Sequence, residues 1–327
     1  MPPKLICLTP VRNEAWILDA FLKCTSLWAD FIIIADQGST DGSKDIALRY
    51  KKVILIENSN TSMHQAQVRK MLFDESKKIK GNKVIFSLDA DEFLSGDFTN
   101  TIGWESIVSS KNSNIFWFKW INLCYPYSVI DKKEAWMYWA CSVIDNEWDG
   151  FFPYFYIHEW RLPYPKKRAN EVFINDIKFV HFARINKKCQ LNKEIFYQAI
   201  TKYHEPDICN TTLFRSYNDE NNYTTFPVDE SLFSYYKKRE IDIFSYLNID
   251  DEGVHYLEEV NKFIKIKGVE YFSGLSIWNE DFLIKYNLKD PRSYLIKFLH
   301  YYLQLTQKYK ANLSIRIIDY ILKSFKI

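Results

Sequence analysis

The sequence predicts an α/β fold in which a mostly parallel sheet is flanked by helices and followed by a mainly helical C-terminal region. Over the first ninety residues, short apolar runs rich in β-branched residues alternate with segments whose apolar residues recur at helical spacing. The runs are apolar throughout, which is typical of strands buried on both faces. Strand–helix alternation of this kind favours parallel pairing through right-handed crossovers. From residue 191 onward the apolar pattern is mainly helical.

The predicted elements follow this pattern along the chain. Strands are expected at Leu5–Leu8, Phe31–Ala35, Val53–Ile56, Val84–Leu88 and Asn114–Ile121. The first helix is expected after Asn13, a suitable N-cap, and further helices at Gly42–Tyr50, Met63–Ile79 and Thr99–Ser109. Residues 123–180 indicate irregular strands and loops. A polar loop or lid is expected at 206–230, and helices near 231–247, 254–266, 292–308 and 312–325. We therefore predict two regions, residues 1–190 and 191–327.

Composition bounds the class of protein. A chain of 327 residues with 47% apolar and 26% charged residues matches a soluble globular protein with one large core, or a core and a smaller added unit. The six cysteines form no CxxC pair, which excludes the usual zinc clusters and gives no sign of a disulfide framework. The strand-like run at Leu5 leaves no room for a signal peptide, and no apolar segment approaches the ~20 residues of a membrane span. We expect a cytoplasmic protein.

The basic residues are concentrated at the C-terminus. Residues 285–327 contain nine Lys or Arg and two Asp, in a chain whose net charge is only +2. This asymmetry favours lipid headgroups over nucleic acid as an anionic partner. On the predicted last helix, one broad side is apolar: Leu313, Ile317, Ile318, Ile321, Leu322 and Phe325. Such a helix can lie on the inner face of a membrane as a peripheral contact, or pack against its own domain or a dimer partner.

Three predicted strands end in polar loops that a buried sheet would not contain. The loops are Thr9–Glu14, Asp36–Gly42 and Asp89–Glu92. If the strands are parallel, all three loops lie on one edge of the sheet, where α/β proteins bind ligands. The convergence of three such loops indicates a binding site.

The third loop predicts a cation site. Asp89 and Asp91 directly follow a buried strand, and residues two apart on an extended chain point the same way. Paired carboxylates suit Mg²⁺ or Mn²⁺, which would bridge to the phosphate oxygens of a substrate. The alternative is an Asp-rich turn that caps the next helix. An EF-hand is excluded, because Leu94 and Asn100 occupy the positions of its glycine and glutamate.

The second loop predicts a contact to a nucleoside. Asp36 ends a buried strand, where its carboxylate can accept hydrogen bonds from a base or from ribose hydroxyls. Capping of the next helix explains Ser39 and Asp41 but leaves Asp36 unexplained. The chain contains neither the dinucleotide GxGxxG string nor the P-loop GxxxxGK[ST] string.

Taken together, these strings resemble those of family 2 glycosyltransferases with the GT-A (nucleotide-diphospho-sugar transferase) fold. The resemblance covers residues 4–185 and depends on TPVRNE, ADQGSTDGS, an arginine on the helix before the third loop, and SLDADEF. It implies a metal-dependent transfer of a sugar from a nucleotide-diphosphate donor to a glycan or lipid-linked acceptor. The donor-binding residues that it implies are Pro10, Arg12, Asp36, Arg69 and Asp89. The ion, Mn²⁺ or Mg²⁺, would be held by Asp89 and by Asp91 as principal ligand. Lys70 departs from the family, which often has asparagine there.

Two histidine-containing segments look like a sub-branch of that family that makes envelope polysaccharides. They are YIHEW, which holds Glu159, and FVHF, which holds His181. An inverting transfer requires a base for the acceptor hydroxyl proton. Glu159 is the candidate, with Asp145 and Asp149 in reserve, and His181 is a candidate third ligand to the ion.

Two other functions remain open from the sequence. A nucleotidyltransferase also combines an α/β domain with acidic metal ligands, although its first loop is expected to be glycine-rich and basic, and TPVRNE contains no glycine. A non-catalytic carbohydrate-binding scaffold could keep the same fold. The presence of Asp36, Asp89 and Asp91 favours an active enzyme.

Overall fold

The computed structural model describes residues 2–58, 65–124, 129–131, 135–144, 148, 150–152, 160–166, 169–218, 225–248 and 252–324. The chain forms two compact units. Unit 1 comprises Met1–Ile185 and Thr225–Asp250, and unit 2 comprises Asn186–Thr224 and Asp251–Ile327. The chain therefore returns to unit 1 for a short segment after unit 2 has begun.

Unit 1 contains a large sheet and a separate two-stranded sheet, which is formed by the ninth and tenth strands. Its strands are β1 (Lys4–Val11), β2 (Phe31–Asp36), β3 (Val53–Glu57), β4 (Lys83–Ser87), β5 (Glu92–Leu94), β6 (Asn114–Cys124), β7 (Val129–Asp131), β8 (Ala135–Val143), β9 (Gly150–Phe151), β10 (Tyr164–Pro165), β11 (Asn170–Arg184) and β12 (Thr225–Pro227). Its helices are α1 (Ala15–Thr25), α2 (Ser43–Leu48), α3 (Gln65–Ser76), α4 (Ile102–Val108) and, after the first segment of unit 2, α7 (Ser234–Lys237). Each of the five predicted strands is present, and each of the four predicted helices of this region has a counterpart.

The sheet combines a parallel half with a largely antiparallel half. Its strand order is β12-β7-β6-β8-β4-β1-β2-β3, with β11 beside β6 and β5 beside β11. The pairs among β3, β2, β1 and β4 are parallel, as the strand–helix alternation predicts. Beyond β4, the pairs of β8 with β4 and with β6 are antiparallel, whereas β11 runs parallel to β6. The α/β fold of GT-A type with helices flanking the sheet is confirmed.

Both faces of the parallel half are buried. On β2, Ile32 and Ile34 belong to one apolar cluster, which includes residues of α1. The alternate residues, Ile33 and Ala35, belong to a second cluster, which includes residues of α3. Because successive side chains of a strand point to opposite faces, burial on both sides explains why these strands are apolar throughout.

The region after residue 123 contains more strand than predicted. The expected irregular segment includes β8 and most of the 15-residue β11. Asn175 and Asp176 resemble a turn signal, but they lie where the register of β11 shifts, between Ile174 and Lys178. Asp176 there accepts a hydrogen bond at 2.9 Å from the backbone N–H of Gly103 in α4. The polar residues thus form a bulge that docks a helix instead of ending the strand.

Two predictions for residues 206–247 were wrong in detail. The polar segment at 206–230 contains α6 (Asn210–Tyr217) and β12, while residues 219–224 fall outside the described chain. The single helix expected near 231–247 is instead three short turns, at Glu230–Phe233, Ser234–Lys237 and Ile243–Tyr246. Glu240 has a φ of 59°, which is incompatible with a continuous right-handed helix.

Unit 2 is helical. It contains α5 (Lys187–His204), α6, α8 (Val254–Lys267), α9 (Glu280–Tyr286), α10 (Tyr294–Thr306) and α11 (Leu313–Ser324). Buried Arg215 of α6 connects the last two helices. Its Nη1 donates to the carbonyl of Leu303 at 2.8 Å, and its Nε and Nη2 each donate at 2.9 Å to the carboxylate of Asp319. No helix in the described part of the chain is both long enough and apolar enough to cross a membrane.

Candidate active site

The three polar loops meet at one edge of the parallel half-sheet, as predicted. Val11, at the end of β1, is in register with Asp36 at the end of β2. On the other side of β1, the backbone N–H of Leu88 donates to the carbonyl of Leu8 at 3.0 Å, so the Asp89 loop begins beside the same strand. Since β2 and β4 are separated by one strand, their ends lie about 10 Å apart.

Hydrogen bonds join the first loop to the second. Ser39 Oγ accepts from the backbone N–H of Asn13 at 2.9 Å, and Asn13 Oδ1 accepts from the N–H of Thr40 at 2.8 Å. The prediction that Asn13 caps α1 was therefore wrong. Its side chain is engaged with Thr40, and its φ of 55° turns the chain before the helix begins. Asp41 of the second loop instead accepts from the N–H of Ala15, at 2.8 Å.

Asp36 presents an unsatisfied oxygen at this edge. The residue is 6% exposed, and its Oδ2 accepts a long hydrogen bond of 3.3 Å from the N–H of Ser39. Oδ1 is buried and has no hydrogen-bond partner among the described residues. A buried acceptor without a donor costs about 1–3 kcal/mol. A ligand that supplies an N–H or hydroxyl would recover this energy. Pro10 lies opposite Ala35 on the neighbouring strand, and Arg12 is half-buried at the start of the first loop.

Two arginines hold Asp89. Arg69 Nη2 lies 2.6 Å from Oδ1, and Arg161 Nη2 lies 2.9 Å from Oδ2. Arg69 is buried on α3, and its Nη1 also donates to Ser87 Oγ at 3.0 Å. Burial lowers the pKa of Arg69 below its ordinary value, and the carboxylate of Asp89 opposes this shift. Lys70, the departure from the family pattern, pairs with Asp74 on the same helix.

Glu92 is the most deeply buried carboxylate of the cluster. Both of its oxygens accept from Arg161, at 2.7 and 2.9 Å, and Oε2 also accepts from the N–H of Asp89 at 2.8 Å. Burial raises the pKa of Glu92 to about 7, and Arg161 opposes the shift. Burial also works against the charge of Arg161, but Asp89 and Glu92 outweigh it, so the pKa of Arg161 lies above its ordinary value. Arg161 therefore contacts both Asp89 and Glu92 and stabilises their charged forms.

Asp91 and His181 form a second pair. Nε2 of His181 lies 3.2 Å from Asp91 Oδ2, and Nδ1 lies 2.8 Å from Asn122 Oδ1. If Nδ1 donates its proton to Asn122, Nε2 carries a free lone pair directed at Asp91. The ring of Trp120 lies 4.8 Å from that of His181 and fixes its orientation from one side. The pair is anchored by the backbone as well, because the N–H of Phe182 donates to the carbonyl of Asp91 at 2.8 Å.

The geometry suits an ion at this pair better than at Asp89. Two neighbouring ligands of an octahedral Mg²⁺ or Mn²⁺, at about 2.1 Å each, are separated by roughly 3 Å. Asp91 Oδ2 and His181 Nε2 have that spacing. The two oxygens of Asp89 face arginines. Within the described ranges, no three His, Cys, Asp or Glu side chains are grouped closely enough to hold a metal ion. Water and substrate oxygens would have to supply the other ligands.

The first part of the chain is similar to a known protein family. Residues 7–101, which include all three loops and Arg69, match the family model for glycosyl transferase family 2. This segment is similar to glycosyl transferase family 2. No curated protein matches the chain. The matched segment contains Pro10, Arg12, Asp36, Asp89 and Asp91, whereas His181 and Arg161 lie beyond it.

Distant likeness to solved structures adds no functional argument. A crystal structure of 4-diphosphocytidyl-2C-methyl-D-erythritol synthase shares 13% identity with a TM-score of 0.23. It is matched over 28% of this chain and 48% of its own, so this chain spans about half of it. The inositol-1-phosphate CTP transferase from T. maritima shares 10% identity with a TM-score of 0.32, over 57% of this chain and 92% of its own.

Several residues of the site were missed by sequence reasoning. Arg161 and Glu92 contact Asp89. Ser87 contacts Arg69, and Asn122 contacts His181. The sequence did contain a sign of Glu92 and of a cationic partner such as Arg161. Three of the four residues Asp89–Glu92 are acids, and three buried acids need more than one cation beside them. Arg161 and Glu92 are 69 residues apart along the chain, so their pairing could not be predicted from the sequence.

The predicted catalytic base lies outside the described residues. Glu159 and the reserves Asp145 and Asp149 belong to segments whose structure is not described. The described chain resumes at Trp160, directly before Arg161. Glu159 is therefore two residues along the chain from a side chain of the arginine–carboxylate cluster. Its role stays a prediction.

Proposed function

We propose that the protein is a metal-dependent, inverting glycosyltransferase. It moves a sugar from a nucleotide-diphosphate donor to a glycan or lipid-linked acceptor. One observation carries the proposal: an unsatisfied acceptor on Asp36 and an arginine pair at Asp89 lie at strand ends about 10 Å apart. That spacing matches the two recognition elements of a nucleoside diphosphate, the nucleoside and the diphosphate.

The nucleoside end of the donor is assigned to the first two loops. Asp36 Oδ1 would accept from a base N–H or a ribose hydroxyl, which satisfies the buried oxygen. Pro10 and Arg12 flank this position on the first loop, and Asn13 locks that loop to the second. The loops are thus preorganised, which reduces the entropy lost when the nucleotide binds.

The diphosphate end is assigned to Arg69 and Arg161. A guanidinium group recognises phosphate oxygens with two parallel donors, and both arginines here are fixed by buried carboxylate or hydroxyl partners. Asp89 is the more exposed member of the cluster, with its side chain 36% exposed. It can therefore move towards the ribose or an ion when phosphate oxygens take its place beside the arginines.

The ion is assigned to Asp91 and His181, with Asn122 setting the tautomer of the histidine. A bound Mn²⁺ or Mg²⁺ supplies stabilisation of the negative charge that develops on the leaving diphosphate. One of these ligands is a carboxylate oxygen and the other is an imidazole nitrogen. This pair favours Mn²⁺ over Mg²⁺, since magnesium prefers oxygen ligands.

The transfer itself is a displacement at the anomeric carbon. The acceptor hydroxyl oxygen attacks that carbon as its bond to the diphosphate oxygen breaks, and the hydroxyl proton passes to a carboxylate base. Glu159 is the proposed base. Arg69 and Arg161 stabilise the charge on the departing nucleoside diphosphate. Inversion follows from the single displacement, in which no covalent intermediate forms on the protein.

A thermal-shift screen tests the proposal. Nucleoside diphosphates and their sugar conjugates are added with and without Mn²⁺ to the wild type, to Asp36→Asn and to Asp91→Asn. A ligand at about 100 times its dissociation constant adds about 2.7 kcal/mol, a shift of several degrees. We expect one nucleotide class to stabilise the wild type more strongly with metal than without. Asp36→Asn should lose about half or more of the nucleotide shift, and Asp91→Asn only the metal increment.

The same assay, followed by product analysis, separates the rival functions. Release of pyrophosphate from a nucleoside triphosphate would identify a nucleotidyltransferase and contradict the proposal. Binding of a sugar without any nucleotide would indicate a carbohydrate-binding scaffold. Release of a nucleoside diphosphate from a sugar nucleotide, dependent on Asp91, is the outcome that we expect.

A further inference from the structure

The last helix of unit 2 is attached by its polar side. The structure describes all of α11, and Asp319 is its one buried residue. Asp319 pairs with Arg215 of α6. Leu322 packs beside it on a small apolar cluster. The opposite side of the helix is apolar and open to solvent: Leu313, Ile317, Tyr320 and Ile321 are exposed. A helix that packs on its own domain normally buries its apolar face, so this arrangement is reversed.

The preceding helix repeats the pattern. On α10, Leu299 and Leu303 face Phe214 of α6 in the same apolar cluster. The other side carries a continuous exposed stripe at positions i, i+4, i+7 and i+11: Tyr294, Phe298, Tyr301 and Leu305. Phe298 is 69% exposed and Leu313 is 71% exposed. Both helices therefore keep a second apolar face that no described part of unit 2 covers.

A basic cavity accompanies these faces. A cavity of about 320 Å³ is lined by Arg215, Lys310, Arg316, Asp319, Tyr320 and Lys323. Four of its six lining residues are cationic, and the one acid is already paired with Arg215. The cavity therefore has a net positive charge beside an exposed apolar helix face. That combination suits an amphipathic anion, one that carries a phosphate group on an apolar body.

We propose that α10, α11 and the basic cavity form the docking surface for an anionic lipid bilayer. Tyr, Phe, Leu and Ile of the exposed faces would enter the boundary between headgroups and acyl chains, as in helices that lie in the plane of a membrane. Arg316 and Lys323 of the cavity would contact a phosphate-bearing headgroup. Charge argues against a second copy of the chain as the occupant. Residues 285–327 carry nine Lys or Arg against two Asp, so pairing two copies through this region would bring like charges together.

Vesicle flotation tests the proposal with the full chain. The probes are vesicles of pure phosphatidylcholine and of equimolar phosphatidylcholine and phosphatidylglycerol, at about 0.1 M and about 1 M salt. We expect binding to the anionic vesicles only, weakened by the higher salt. Replacing both Arg316 and Lys323 with Gln should lower the partition coefficient roughly 25-fold, because each cation near an anionic surface contributes about a factor of five.

A second pair of variants tests the apolar contact. Phe298→Ser with Leu313→Ser should lower the partition coefficient by more than about tenfold, since both side chains would leave the interface. Lys265→Gln with Ile266→Ser is the matched control, because both residues are exposed on α8. The control should bind as the wild type does. All the altered side chains are exposed, so the thermal midpoint in the absence of vesicles should change little.

Three outcomes would overturn the proposal. The first is an absence of binding to anionic vesicles, and the second is equal binding to neutral and anionic vesicles. The third is an oligomer in solution that Phe298→Ser with Leu313→Ser dissociates, without any vesicle binding by the wild type. That third result would assign the surface to a second copy of the chain.

Discussion

Arg161 donates two hydrogen bonds to Glu92, from Nη1 to Oε2 at 2.9 Å and from Nη2 to Oε1 at 2.7 Å. The same Nη2 lies 2.9 Å from Asp89 Oδ2. One arginine from a segment far along the chain thus fixes two of the three acids in the Asp89–Glu92 loop. This planar, two-pronged contact is the feature on which the shape of the predicted diphosphate site depends.

The first prediction concerns that contact. Arg161→Lys keeps the positive charge but loses the planar pair of donors, so Glu92 or Asp89 loses one of its hydrogen-bond donors. We expect a loss of about 1–3 kcal/mol in the free energy of unfolding, measured by urea denaturation. Arg49→Lys is the matched control, because Arg49 pairs with Asp19 at the surface, and we expect less than about 1 kcal/mol there. Equal effects of the two substitutions would contradict this interpretation.

The second prediction concerns pH. Burial raises the pKa of Glu92 to about 7, above the ordinary value of 4.5. Between these two values the folded protein binds more protons than the unfolded chain, so this group lowers the free energy of unfolding as pH rises. Glu92→Gln cannot ionise and lacks this term. We therefore expect the stability of the variant relative to wild type to increase from pH 4.5 to pH 7 by up to ~3 kcal/mol. A stability difference that does not change across this window would contradict the assignment.

The third prediction tests the histidine tautomer. Asn122→Ala removes the oxygen that accepts from His181 Nδ1. The tautomer with an unprotonated Nε2, which can bind a metal, is then no longer favoured. Loss of such an outer contact typically weakens metal binding about 10–100-fold. We expect that loss in Mn²⁺ affinity, followed by the electron paramagnetic resonance of free Mn²⁺. Asn122→Asp keeps an acceptor oxygen and should restore binding. Failure of Asn122→Asp to bind better than Asn122→Ala would remove Asn122 from this role.

The fourth prediction concerns the stability of unit 2. Asp319→Ala leaves the buried guanidinium of Arg215 without its carboxylate. Breaking a buried ion pair on one side costs about 3–5 kcal/mol. The double variant Arg215→Met with Asp319→Leu should recover much of this loss, because neither charge is then buried alone. The measurement is the free energy of unfolding of unit 2, from denaturation followed by a probe in that unit. A double variant that is no more stable than Asp319→Ala would contradict the expectation.

The parallel half of the fold was predictable because its signal is local. Strands β1, β2 and β4 are short, mainly apolar runs with buried side chains, and each is followed by polar residues at the edge of the sheet. The loops containing Asp36 and Asp89 could therefore be placed together from the sequence alone. The strand β11 could not, because its polar Asn175 and Asp176 resemble a turn until the bulge and the contact to Gly103 are seen.

The site was predictable only in part for a related reason. Ligand types such as Asp91 and His181 can be read from residue chemistry, but partners such as Arg161 and Asn122 depend on tertiary contacts across 69 and 59 residues. The orientation of α11 on unit 2 also could not be predicted from the sequence. Its apolar side can be listed from helical spacing, whereas the pairing of Asp319 with Arg215, which turns that side outward, requires the fold.

Calorimetric titration of the wild type and Asp36→Asn, with a nucleoside, its diphosphate and inorganic pyrophosphate as three ligands, tests the central claim most directly. Asp36→Asn keeps the size of the side chain and removes one of its two acceptor oxygens. We expect it to weaken the binding of the nucleoside and of the diphosphate by the same factor, about 10–100-fold. Pyrophosphate, bound at Arg69 and Arg161, should bind both proteins equally. Unchanged affinity for all three ligands, or an equal loss for pyrophosphate, would contradict the placement of the donor across β1.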